Sequence, residues 1–155
     1  MKQTKYFHAL LIVGALSAVL FSGCQTFSDN PAPGALTSVT ITNQPIPAIA
    51  QATATVFANH GFTGGQTGPN QFTFQRPGSR ADNLAYASYA MNEMVTVRVV
   101  VNILPVSNTS TVVACKAWLV EAAGDPVLED SHPVRPLGKG PYEDLLKDIK
   151  SQLGE

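Results

Sequence analysis

The sequence predicts an α+β domain, and three observations carry that reading. The first is a pair of alternating runs, Met94 to Leu104 and Thr111 to Glu121, joined by turn residues Pro105 to Ser110; this reads as a long antiparallel hairpin. The second is the recurrence of Ile46, Ile49, Ala50, Thr53, Val56, Phe57 and His60 at helical spacing ahead of the hairpin. The third is a similar stripe behind it, Tyr142, Leu145, Leu146, Ile149 and Leu153. Strand, helix, several antiparallel strands and helix, in that order, predict a two-layer sandwich. It would have an antiparallel sheet of about four strands with two helices packed on one face.

Each element has a local reason. Ser38 to Thr42 alternates enough for a short strand, Asn43 is placed to cap the following helix, and Gly61 after Asn59-His60 is a left-handed stop. Thr53, Thr55 and Val56 are modest helix formers, so that helix needs its stripe packed on a sheet. The stretch from Phe62 to Asn70, with Gly64, Gly65 and Gly68-Pro69, reads as a loop. It leads into Gln71-Phe72-Thr73-Phe74-Gln75, a strand with both rings inward, which Pro77-Gly78-Ser79 ends. Arg80 to Met91 fits an extended stretch or a short helix equally.

In the hairpin, Val95, Val97, Val99, Val101 and Ile103 share the core face. Val113, Cys115, Ala117 and Leu119 have the matching parity, and small Cys115 and Ala117 leave room for a helix. Lys116 and Trp118 then point outward with Arg98. Ala123-Gly124-Asp125-Pro126 is a turn, Val127 to Asp130 a further short strand, and His132 to Gly140 a loop. Pro141 suits the first position of the last helix, with Glu143 and Asp144 at its positive end.

The N-terminus has the layout of a secretory leader: Lys2 and Lys5, an apolar run from Ala9 to Phe21, then Ser22-Gly23-Cys24. A helix over that run reaches about 20 Å, short of a membrane core of about 30 Å. The Phe21-Ser22-Gly23-Cys24 stretch resembles the lipobox of bacterial lipoproteins, departing from it at Phe21, where leucine is usual. The resemblance implies cleavage between Gly23 and Cys24 and acylation of Cys24; more than one acyl chain would hold the protein firmly on a membrane. Gln25, where an aspartate would favour inner-membrane retention, implies the outer membrane, periplasmic face. A plain leader followed by an ordinary cysteine is the alternative. The expected organisation is a signal peptide over 1–23, a lipidated N-terminus and tether over 24–37, and one domain over 38–155.

Charge narrows the function classes. Without Lys2 and Lys5 the chain keeps eight Lys and Arg against eleven Asp and Glu, so it offers no basic field and nucleic acid is not an expected partner. With Cys24 committed to lipid, Cys115 has no intrachain partner, and its setting is that of an inert core thiol.

No nucleophile-base pairing, metal-ligand spacing or phosphate loop stands out, so neither a catalytic residue nor a cofactor nor a metal is expected. His60 reads as part of a helix end and His132 precedes a proline. Glu121, Asp125, Glu129 and Asp130 lack calcium-loop order and read as a solvated hairpin end.

Trp118 beside Lys116 and across from Arg98 is the surface feature most suited to a partner, against the plainer possibility that it covers Val120 or Val100 or lies under a loop. Gly61-Phe62, Pro77-Gly78-Ser79-Arg80-Ala81-Asp82 and Gly140-Pro141-Tyr142-x-x-Leu145-Leu146 resemble small bacterial envelope lipoproteins, a resemblance that brings no catalytic residues. The leading expectation is a non-enzymatic, lipid-anchored accessory domain contacting an envelope protein or the cell wall through Arg98, Lys116 and Trp118. A carrier of a small apolar ligand between helices and sheet is the alternative. A hydrolase, which needs His60 or His132 beside a carboxylate and a serine, comes last.

Overall fold

The computed structural model describes residues 32–86 and 94–155. Within them lie six strands and three helices: β1 (Thr37–Thr42), α1 (Ile46–Asn59), β2 (Thr63–Gly68), β3 (Gln71–Pro77), α2 (Arg80–Tyr86), β4 (Thr96–Pro105), β5 (Ser110–Glu121), β6 (Asp130–Pro133) and α3 (Gly140–Gln152). The fold is α+β, as expected, with more strands and helices than the sequence suggested. All strand pairings are antiparallel and the order is β1-β5-β4-β3-β2. Strand β6 continues the β1 edge of β5, pairing with Trp118 to Glu121 while β1 pairs with Ser110 to Cys115.

The hairpin register follows from the valine parity. Val97, Val99, Val101 and Ile103 lie opposite Leu119, Ala117, Cys115 and Val113, and a slip of one residue would turn these side chains to the other face. Across β4, Phe72 and Phe74 pair with Val101 and Val99. These residues, with Ile49, Phe57, Leu145, Leu146 and Ile149 among others, form one buried cluster, so α1 and α3 cover the same sheet face. Phe57 stacks on Phe74 at 4.3 Å between ring centroids and meets Phe62 edge-on at 5.2 Å, the offset and T-shaped geometries that aromatic quadrupoles prefer.

Helix α1 starts without the expected cap. Pro45 precedes it with no side-chain cap bond, while Asn43 takes a positive φ of 53° in the turn from β1. A proline in the first turn has no amide donor to leave unpaired there, which makes a capping side chain less necessary. The helix ends as expected, with His60 at its C-cap and Gly61 at φ 77°.

Two stretches read as loop contain strand. Thr63–Gly68 is the edge strand β2, where backbone pairing with β3 prevails over a composition almost without apolar side chains. The short strand expected at Val127 to Asp130 lies later, at Asp130–Pro133, because Asp125 Oδ1 accepts the Val127 and Leu128 amides and holds that segment in a turn. Arg80–Tyr86 is helical, opened by a reciprocal pair in which Ser79 N–H donates to Asp82 Oδ2 and Asp82 N–H to Ser79 Oγ.

Part of the 24–37 stretch expected as a tether is packed on the sheet. Ala32 is buried against Val112 and Ala114 on the side of β5 away from α1 and α3, and Leu36 N–H donates to Cys115 O at 2.9 Å. Gly23, Cys24 and residues 25–31 lie outside the described residues, as does the 87–91 part of the ambiguous segment.

Candidate outer-face site

Strand alternation turns Arg98, Lys116 and Trp118 to the sheet's outer face, as their parity required. Arg98 and Trp118 are direct cross-strand partners, and Trp118 pairs on its other side with Pro133. Arg98, Trp118 and Pro133 therefore form one row across β4, β5 and β6. Trp118 is half-buried and Lys116 exposed.

This face is less open than expected. Val112 and Ala114 are covered by Ala32, and outward-facing Val120 is fully buried. Between its two ends, the accessible part of β5 is thus confined to Lys116 and Trp118.

The charge of Arg98 is already matched within the fold. Its Nη1 and Nη2 donate to Glu129 Oε1 and Oε2 at 2.6 and 3.0 Å, a two-pronged pair. Gly124 N–H adds a third hydrogen bond, to Glu129 Oε2 at 2.9 Å. The Arg98 hydrogen bond, helped by the Gly124 amide, pulls the Glu129 carboxyl down to about 2, and the same bond raises the Arg98 guanidinium. Arg98 therefore also fastens the 122–129 loop to the sheet, a role its place opposite Trp118 did not announce. The signal was present only as Glu129 in an acidic group, with nothing in the spacing to show that the turn folds back to β4.

The other acidic groups are occupied too. Asp125 holds the turn amides, and Glu121 and Asp130 lie 3.4 and 3.5 Å from His132 Nε2. Among the described residues no group of three or more His, Cys, Asp or Glu side chains is disposed to hold a metal ion.

His60 sits at the α1 end with Nε2 3.0 Å from Asp148 Oδ2 of α3, and both side chains are about half exposed. Ser151, one helical turn beyond Asp148, borders the same open depression. The histidine's hydrogen bond goes to the carboxylate; among the described residues none joins His60 to a serine. Cys115 is buried in the core and its thiol is pushed up to about 12 by desolvation, so it stays protonated.

No protein-family model matches this chain, and no curated protein matches it.

Proposed function

We propose that the chain is a lipid-anchored envelope protein without reaction chemistry, whose α+β sandwich recognises a protein or cell-wall partner beside its membrane. The observation that carries the partner surface is the row Arg98, Trp118 and Pro133 with exposed Lys116 next to it. Trp118 stands on a central strand and its flank is fixed by the Arg98–Glu129 pair. A preorganised aromatic loses little freedom on binding, which suits it to anchor a contact. Acylation of Cys24 and residence on the periplasmic face of the outer membrane complete this reading and rest on the resemblance of residues 21–24 to a lipobox.

The non-enzymatic reading draws support from the protonated core thiol and from a half-exposed His60–Asp148 pair in which, among the described residues, no hydrogen bond joins the histidine to a serine. Burial of Ile49, Val56 and Leu146 in one cluster with Cys115 and Ala117 supports the partner reading over a carrier. In-cell crosslinking tests the partner surface. Trp118→Ala is expected to fold normally and lose crosslinked partner; a folded variant with unchanged crosslinks contradicts the assignment.

A further inference from the structure

Strand β3 places a cation on the helix-covered face of the sheet. Phe72 and Phe74 are buried in the core cluster, and Arg76, two residues on, has the same parity. Its guanidinium lies over the Phe62 ring, 4.7 Å from the centroid, a contact that fixes the group without using its hydrogen bonds. Arg98, on the other face, spends both terminal nitrogens on Glu129. Arg76 makes no ion pair and no side-chain hydrogen bond among the described residues.

The Arg76 Nε is enclosed without a partner, the one buried side-chain polar atom so left among the described residues. A charged donor enclosed without an acceptor is destabilising and calls for a physical reason. The terminal nitrogens of Arg76 also lack acceptors but are not enclosed, so they reach solvent.

Tyr142 supplies a second donor. It stands in the first turn of α3, is 7% exposed and packs in the same cluster. Its hydroxyl makes no hydrogen bond among the described residues and is likewise not enclosed. Burial pushes the phenol up to about 12, the Arg76 charge opposes that shift and the Asp82 carboxylate adds to it, so these groups share one neighbourhood. Asp82 Oδ2 accepts the Ser79 amide, and no ion pair joins Asp82 to Arg76 among the described residues.

Unspent donors of this kind fit an oxyanion, and charge and shape select which. One guanidinium matches one unit of negative charge, its planar fork matches a planar carboxylate, and Asp82 nearby disfavours the second charge of a phosphate. We propose that Arg76 and Tyr142 form a carboxylate-binding site at the end of β3, where the Arg76 fork takes the carboxylate of a small acid or of a peptide C-terminus and the Tyr142 hydroxyl donates to it. The site is on the opposite sheet face from Trp118 and stands independently of the partner surface there.

The test titrates the full chain with acetate, with acetyl-alanyl-alanine and with the C-terminal amide of that peptide, read by the NMR signal of the Arg76 Nε–H and by Tm. Both acids are expected to shift the signal saturably and raise Tm, and the amide to do neither. Tighter binding of the peptide acid than of acetate assigns a chain terminus as ligand, and equal binding a small acid. Arg76→Met keeps an apolar stem over Phe62; without acid its Tm is expected to equal or exceed that of the wild type, and its response to acid to vanish. Arg76→Lys, a point charge without the fork, and Tyr142→Phe should each weaken binding roughly fivefold. An unshifted wild-type signal, equal responses to acid and amide, or a Tm response that survives in Arg76→Met overturns the site. So does a matched loss of stability in Arg76→Met and Glu93→Gln that grows no larger in the double variant, because Arg76 would then be paired within the chain.

Discussion

Glu129 accepts both terminal nitrogens of Arg98, at 2.6 and 3.0 Å, and this pair fixes the 122–129 loop next to Trp118. Its pH dependence has a definite sign. The Glu129 carboxyl falls from an ordinary 4.5 to about 2 in the folded chain, so its contribution is present above about pH 4.5 and is lost as pH falls toward 2. The Gly124 amide, which donates to the same carboxylate, is expected to lose its protection from hydrogen exchange, relative to the intrinsic rate at each pH, over that interval. Glu129→Gln should leave it unprotected throughout and remove the acid dependence. Equal protection in the two proteins at neutral pH would show that the pair does not hold the loop.

At the alkaline end the signs reverse. Burial pushes the Cys115 thiol from 9.0 and the Tyr142 phenol from 10.0, each to about 12. Groups whose folded pKa is raised contribute stability below the unfolded pKa and lose it as pH rises toward the folded value. Stability measured by urea unfolding should therefore decline above about pH 9. The double variant Cys115→Ala with Tyr142→Phe should be less stable at neutral pH but show a flatter alkaline limb; an unchanged slope would contradict the assignment.

The aromatic cluster sets the docking of α1. Phe57 is fully buried between Phe62 and Phe74, and Phe57→Ala should cost about 3–5 kcal/mol through lost transfer energy and an unfilled cavity. Chemical denaturation checks it, and a loss under about 1 kcal/mol would mean that the site collapses or that α1 is not seated as described.

Gly64 in β2 has φ 125°, and an added Cβ would clash with the backbone oxygen of Thr73. Gly64→Ala should destabilise by more than about 1 kcal/mol and free the β2 edge from β3. Exchange protection of the β2–β3 amides reads this directly, and preserved protection would show that the edge tolerates a side chain.

Much of the fold was legible because burial on one face leaves a period in the sequence. The valines of β4, the facing parity of β5 and the stripes of α1 and α3 all bury one face of a regular element. Strand β2 was not legible, because Thr63–Gly68 is an edge with almost nothing to bury and its pairing is made by backbone groups. Strand β6 was displaced because Asp125 stabilises the turn before it, a local polar bond that hydrophobic alternation does not register. At the candidate site the outward parity of Arg98, Lys116 and Trp118 could be read, but the Arg98–Glu129 pair spans 31 residues and depends on a loop returning to the sheet.

Trp118, the chain's one tryptophan, provides a ready reporter for the outer face. In the partner reading Trp118→Phe keeps much of the contact that Trp118→Ala removes, because an aromatic surface remains. Quantified crosslinking of the two variants is expected to rank wild type above Phe and Phe above Ala; equal yields for all three would mean that the ring does not take part.

The central claim is that this domain is moored to a membrane through Cys24, and the intact mass of the processed protein purified from membranes tests it most directly. The account predicts a chain beginning at Cys24 whose mass exceeds that of residues 24–155 by a diacylglyceryl group and a further acyl chain. A bare Cys24, or a chain still carrying residues 1–23, would contradict it.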